Sequence, residues 1–294
     1  MISDYFKMFR PFTLVAVALG SFSAGLIAMH DTNNFSLQNF LILALVMFIM
    51  AVTNASGNVI NELFDKDIDR ISKPYRPYVS GKVSFENANT FAVMLFGLGI
   101  VLAFLINVYF GILVAIIQFF AWNYSAPPLR FKKRFVWGNL AIATPRGALG
   151  VFAAYVALST HISWAIVILS SALAFYVFFG NTTKDFFDYE ADKLNGIRNF
   201  VTVFGIKRSA LLSIAGFYIP FVFFNLGVFL HLLPKDMLFM NILLPVSIYE
   251  TYFLVKDPLH KTKTENSLAW TVFYLEMGAI TLLYSVLYIL ENFI

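Results

Sequence analysis

Residues 38–69 read QNFLILALVMFIMAVTNASGNVINELFDKDID, a long and almost uninterrupted apolar run that ends in a cluster of acids. About 20 helical residues cross the ~30 Å hydrocarbon core of a bilayer, so this run is long enough to span one. At its end Asn61, Asp65 and Asp69 recur at steps of four. An α-helix returns to nearly the same face at that step, which predicts one polar stripe with Asn58 close to it. Carboxylates at the edge of hydrocarbon are costly unless a cation neutralises them, so a functional site is the default reading here.

The rest of the chain has the same character. Of its 294 residues 59% are hydrophobic, 18% aromatic and only 13% charged, with mean hydropathy +0.74. That is too little polar surface to cover a water-soluble globule, and it predicts an all-α polytopic membrane protein. Nine membrane helices can be laid out, roughly at 12–29, 38–64, 85–107, 109–125, 137–158, 162–187, 209–231, 236–255 and 267–290. No linker or low-complexity stretch divides them, so residues 1–294 are expected to form one domain. The opening MISDYFKMFRPFTL lacks the apolar core and small-residue cleavage site of a signal peptide, so the first helix is expected to remain. The chain has no cysteine, which excludes disulfides and thiolate chemistry.

Lys and Arg flanking membrane helices stay on the cytoplasmic side. One side collects 19 of the 21 basic residues: Lys7 and Arg10, five between Lys66 and Lys82, four between Arg130 and Arg134, five between Lys184 and Arg208, and Lys256, Lys261 and Lys263. Only Lys235 falls opposite, and Arg146 lies inside an apolar run. The N-terminus and the four even connections are therefore expected in the cytoplasm, and the C-terminus outside. Because the basic surplus sits in loops between membrane helices, it points to orientation and to an anionic lipid or diphosphate, not to nucleic acid.

The acidic cluster has an echo. Residues 61–70 align without gaps on 184–193, so that Glu62 meets Asp185, Asp65 meets Asp188 and Asp69 meets Asp192. The copies lie four helices apart and run the same way through the membrane, which predicts two acidic ends facing one cavity. Carboxylates one turn apart repel, and a divalent cation removes the conflict. Oxygen ligands without Cys or His nearby favour Mg²⁺, with Mn²⁺ as the alternative, over Zn²⁺. Mg²⁺ is commonly held by one or two carboxylates together with phosphate oxygens, which suits two clusters gripping one diphosphate. The bland alternative is two solvated helix ends carrying ordinary loop charges.

Arg70, Lys73 and Arg76 follow the first cluster, and Arg130 and Lys132 follow Pro127-Pro128, a pair that forbids helix and stiffens its loop. These are the candidate diphosphate ligands; Lys133, Arg134, Lys207 and Arg208 are assigned to topology alone. Arg146 needs a partner or a polar cavity, either an acid on another helix or the substrate. The four His show no metal-ligand spacing and receive no role, and the 34 Phe are chiefly lipid-facing or core filler.

Taken together, Asn61-xxx-Asp65-xxx-Asp69, Lys73-Pro74-Tyr75-Arg76-Pro77, Tyr124-Ser125-Ala126-Pro127-Pro128 and Asp188-xxx-Asp192 leading to Gly196 resemble the motifs of the UbiA superfamily of intramembrane prenyltransferases, over nearly the whole chain. The resemblance implies nine transmembrane helices around a central cavity and Mg²⁺-dependent transfer of a polyprenyl group from its diphosphate to a lipophilic acceptor. It implies metal ligation by Asn61, Asp65, Asp69, Asp188 and Asp192, with two ions expected. Asn58, Arg70, Lys73, Arg130 and Lys132 would hold the diphosphate of a donor in the geranyl to geranylgeranyl class. Tyr124 is positioned to stabilise an allylic cation and Asp185 to take the acceptor's proton. Residues 69–82 are similar both to family members that prenylate glyceryl phosphates and to chlorophyll synthases, whereas 124–132 and 196–200 are similar to homogentisate and other quinone-pathway enzymes. A lipid or quinone-precursor acceptor is preferred to a tetrapyrrole. Outside the enzyme class, an ion-coupled transporter predicts acids at the bilayer midplane in broken helices.

Overall fold

The computed structural model describes residues 2–260 and 267–290; Lys261 and Lys263, counted above on the basic side, lie outside this range. The chain is helical throughout its long apolar runs. A short α1 (Ile2–Met8) leads into α2 (Pro11–Asp31), α3 (Leu37–Phe64), α4 (Lys66–Ser72), α5 (Phe85–Ile106) and α6 (Val108–Ser125). Then come α7 (Phe135–Ala143), a π-helical turn (Thr144–Leu149), α8 (Gly150–Val156) and α9 (Trp164–Gly180), which continues as a 3₁₀ turn (Asn181–Asp185). Two short helices, α10 (Tyr189–Leu194) and α11 (Phe200–Phe204), precede α12 (Ile206–Phe229), a 3₁₀ segment (Lys235–Leu243), α13 (Leu244–Lys256) and α14 (Leu268–Ile289).

Eight helices among the described residues are long and apolar enough to cross a bilayer. The remaining expected span, 137–158, is the relay of α7, the π turn and α8. Pro145 has no N–H to continue the α-helical ladder, and the π turn accommodates the break. Polar caps fix where the spans start: Ser36, Ser84, Asn107 and Ser267 each accept a hydrogen bond from the backbone N–H three residues on.

The helices close into a ring. α2 packs on α3, α8 and α14; α3 packs on α6; α6 meets the π turn and α8; the π turn meets α9; and α14 contacts both α9 and α2. α5 lies outside α3 and α6, and α12 and α13 lie outside α9 and α14. α2 tolerates its central place because most of its buried face is small: Ala16, Gly20, Ser21, Ser23, Ala24, Gly25 and Ala28, beside Thr13, Ile27 and Met29. At the end remote from the acidic clusters, Asp31 of α2 accepts hydrogen bonds from the Tyr155 hydroxyl (2.7 Å) and the Tyr288 hydroxyl (2.8 Å), tying α2, α8 and α14 together. Exposed Phe104, Leu105, Leu211, Phe229 and Ile242 lie on the outside, a surface that hydrocarbon accommodates and water does not. This is a multi-pass membrane protein.

Candidate active site

The Asn61–Asp69 stripe does not run along one helix. α3 stops at Phe64, Asp65 forms the joint (φ −104°, ψ 12°), and α4 starts at Lys66. The four-residue stacking survives the joint, because the backbone N–H groups of Asp65, Asp69 and Lys73 still bond the carbonyls of Asn61, Asp65 and Asp69, at 3.0, 2.8 and 2.7 Å. The second cluster repeats the device. Asp188 sits at a similar joint (φ −88°, ψ 1°) between the end of α9 and α10, and Asp192 N–H bonds its carbonyl at 2.7 Å. Sequence alignment pairs Asp65 with Asp188, and the structure gives them equivalent places. α4 and α10 pack on each other through a small apolar contact among Ile68, Ala191 and Ile197.

Both clusters open onto one cavity of about 590 Å³ inside the helix ring. Asn58, Asn61, Asp65, Asp69, Lys73, Tyr124, Lys132, Asp185, Asp188 and Asp192 all line it, so most of the candidate residues come together. Their charges interlock across the halves. Lys73, after the first cluster, holds Asp188 of the second with Nζ at 2.7 and 2.8 Å from the two carboxylate oxygens. Lys132 reaches Asp65 at 2.5 Å from the connection after α6. Arg76 pairs with Asp69 at 2.5 Å, and Lys184 pairs with Asp185 while its Nζ also donates to the Tyr124 hydroxyl at 3.1 Å. Asp192 has instead a neutral neighbour, the Asn199 amide, which donates at 2.8 Å.

These environments separate the acids electrostatically. Burial works against ionisation of Asp188, but Lys73 overcomes it and holds the carboxyl below its ordinary value. Burial raises Asp69 above its ordinary value despite the opposing pull of Arg76. Burial, followed by the nearby Asp185 charge, pushes Asp192 up to about 7.

Two expected diphosphate ligands are placed elsewhere. Arg70 points out of the cavity, is exposed, and lies 3.5 Å from exposed Asp67, because on α4 it is one position round from the Asp69 face. Arg130 does not line the cavity; its Nη2 donates to the Phe64 carbonyl at 2.9 Å and satisfies the C-terminal end of α3. Asn58 lines the cavity but spends its amide on the Phe9 carbonyl (2.7 Å) and the Thr13 hydroxyl (2.9 Å), thereby docking the start of α2.

Sequence reasoning missed Arg10, whose Nη2 donates to Asn61 Oδ1 at 2.7 Å. Arg10 holds a left-handed backbone (φ 52°, ψ 70°), a strained state that marks functional positions more often than ordinary ones. Asn61 in turn donates to Asp65 Oδ2 at 2.6 Å and to the Ser125 hydroxyl at 2.8 Å. Lys184 and Asn199 were missed as well; nothing in their spacing distinguishes them from topology-setting loop residues.

Among the described residues no three carboxylate or imidazole side chains converge as a ready-made metal cage. The donor set nevertheless fits Mg²⁺, which needs only one or two carboxylates when phosphate oxygens complete its shell. The fold and site thus define a membrane-embedded helical ring whose cavity has a mouth of paired acids and bases suited to a metal–diphosphate group.

The chain belongs to the UbiA prenyltransferase family, whose model matches residues 17–285; it is a prenyltransferase. Among its relatives, digeranylgeranylglyceryl phosphate synthase of Saccharolobus solfataricus is 32% identical over 210 residues, 71% of each chain. That of Methanocaldococcus jannaschii is 30% identical over 274 residues, 90% of each chain. A solved structure of a digeranylgeranylglyceryl phosphate synthase in membranes superposes with TM-score 0.70 at 26% identity, covering 99% of this chain and 98% of that one. A UbiA homolog from Archaeoglobus fulgidus, solved with GPP and Mg²⁺ bound, shares the fold with TM-score 0.72 at 22% identity over 99% of this chain and 100% of its own.

Proposed function

We propose that this enzyme transfers a geranylgeranyl group from its diphosphate to the hydroxyl of a glyceryl phosphate lipid that already carries one such chain, with the acidic end of the bundle facing the cytoplasm. The relatives named for digeranylgeranylglyceryl phosphate support the acceptor class, and the concentration of basic loops at the acidic end supports the orientation. The observation that carries the site assignment is the Lys73–Asp188 pair, which bridges the two clusters across one cavity.

Asn61, Asp65 and Asp69 on one side and Asp188 and Asp192 on the other are the residues that would hold Mg²⁺. Bound there, Mg²⁺ neutralises the diphosphate and makes it a better leaving group. Lys73 and Lys132, which pair with Asp188 and Asp65 and line the same cavity, are the cations that would bind the diphosphate oxygens. The C1–oxygen bond breaks with its electron pair going to diphosphate, and the acceptor oxygen bonds to C1. Tyr124, whose hydroxyl accepts from Lys184, lines the cavity and is the ring that would stabilise the allylic cation. Asp185 is the nearby base for the hydroxyl proton, and the ring of helices excludes water that would quench the cation.

Purified enzyme in lipid nanodiscs, given radiolabelled geranylgeranyl diphosphate with Mg²⁺, should prenylate geranylgeranylglyceryl phosphate, stop in EDTA and recover on added Mg²⁺. Turnover with 4-hydroxybenzoate, homogentisate or chlorophyllide but not with the glyceryl phosphate would replace the acceptor assignment. Turnover undiminished by Asp65→Ala or Asp188→Ala would remove the site assignment.

A further inference from the structure

Arg146 lines the cavity wall and takes no part in the ion pairs of the acidic mouth. Local chemistry puts it there. Pro145 interrupts the α-helical ladder, and Gly147 presses bare backbone against α9: a Cβ on Gly147 would sit 2.6 Å from the Leu173 carbonyl oxygen and 2.7 Å from Ala174 Cα. Between them, the π turn leaves Arg146 lining the cavity. The acid on another helix expected as one of its two partners is absent: among the described residues no carboxylate lies within ion-pair distance of it. Its hydrogen bond is to a neutral group, the Asn54 side-chain oxygen, at 3.4 Å.

The wall facing it is polar too. Asn54 donates to the Thr13 hydroxyl at 3.1 Å, and the Tyr274 hydroxyl donates to the Thr13 carbonyl at 2.7 Å. A cavity serving only a hydrocarbon chain gains nothing from a guanidinium at this depth, where an uncompensated charge is costly. Asn54 precedes Asn61 by two turns of α3, so Arg146 lies about 10 Å deeper than the metal-binding residues. The acceptor hydroxyl must come about 3–3.5 Å from C1, and because the diphosphate fills the acidic mouth, the space open to it lies deeper in the cavity. An anionic group attached close to that hydroxyl falls in the zone of Arg146.

We propose that Arg146, supported by Asn54, is an anion subsite that binds the phosphate monoester of the acceptor and selects charged over neutral acceptors. The inference rests on the glyceryl phosphate reading and adds the residue that recognises the phosphate. Two acceptors separate it from a structural role: geranylgeranylglyceryl phosphate and the neutral geranylgeranylglycerol obtained by removing its phosphate. Wild-type enzyme should favour the phosphate, and Arg146→Gln should cut that preference, read as the ratio of kcat/KM values, roughly 10- to 100-fold through KM of the phosphate acceptor. KM for geranylgeranyl diphosphate should move far less than KM for the phosphate acceptor, and Arg146→Lys should restore part of the preference.

Equal losses on both acceptors in Arg146→Gln, or a preference that survives the substitution, overturn the subsite while leaving the acceptor assignment standing. Wild-type enzyme that prenylates neither glyceryl acceptor overturns both. Should Arg146→Gln fail to fold, Asn54→Ala and Arg146→Lys carry the same test, since each should weaken the phosphate acceptor selectively; no selectivity change in either rejects the proposal.

Discussion

The two acidic clusters share a backbone design but differ in how their charge is compensated. In the first, Asp65 and Asp69 each face a basic side chain, Lys132 and Arg76, and Asn61 is clamped by Arg10. In the second, Asp188 borrows Lys73 from the first half, Asp185 has the adjacent Lys184, and Asp192 accepts from the neutral Asn199 amide. The first cluster also carries Glu62, which is buried and accepts the Tyr78 N–H at 2.8 Å. Of the cavity-facing aspartates, the others have the basic partners just given and Asp192 the neutral amide, so Asp192 is the one most open to an external cation.

Removing the central acid of either cluster should have the largest effect. Asp65→Ala and Asp188→Ala are each expected to lower kcat on the order of 10³-fold, because both remove charge stabilisation of the leaving diphosphate and strand a buried lysine. Single-turnover kinetics at saturating Mg²⁺ measure this. A large loss in one and not the other would break the symmetry of the pair. The next test separates the clusters. Asp69→Asn leaves the Arg76 guanidinium buried without its carboxylate and should cost about 3 kcal/mol, read as a lowered unfolding temperature in detergent. Asp192→Asn removes a carboxylate that burial already disfavours, so stability should hold while the Mg²⁺ concentration for half-maximal activity rises about tenfold. If both substitutions destabilise alike, the second cluster is no more open than the first.

The contact that keeps the clusters opposed is small. Ile68 is buried against Ala191 and Ile197, and Ile68→Val should cost about 1 kcal/mol and loosen α4 from α10, seen as faster hydrogen exchange in both short helices.

Spans and clusters were legible in the sequence because both obey local rules. Hydrocarbon thickness fixes helix length, and all nine apolar runs coincide with helical segments to within a few residues. The paired motifs were legible because a period of four survives even a joint between helices. The joints themselves were not, since the propensity of Phe64-Asp65-Lys66 does not oppose a continued helix and packing of α4 on α10 decides the bend. Arg10 was hidden because a left-handed backbone before Pro11 is a tertiary outcome. Glu250 and Glu276 were passed over inside apolar runs; the structure buries them side by side, with Tyr176 (2.8 Å) and Ser247 (2.7 Å) donating to Glu276, away from the cavity. They belong to the packing of α9, α13 and α14, which periodicity cannot foresee.

Arg70 provides the mildest test of the comparison. Its sequence position, directly after Asp69, made it a diphosphate ligand by proximity, yet a step of one on a helix turns the side chain about 100° away from the Asn61–Asp65–Asp69 stripe. Exposed beside Asp67, it forms a surface ion pair of the kind that adds little to stability. Lys73, one helical turn beyond Asp69, does reach the second cluster. Arg70→Ala is therefore expected to change kcat/KM for the prenyl diphosphate by less than about threefold, whereas Lys73→Ala should lower it at least tenfold by freeing Asp188 and removing a diphosphate contact. Both values come from the same initial-rate assay at varied diphosphate. Equal losses would mean that α4 rotates on binding substrate, turning Arg70 toward a mouth that is lined without it before substrate enters.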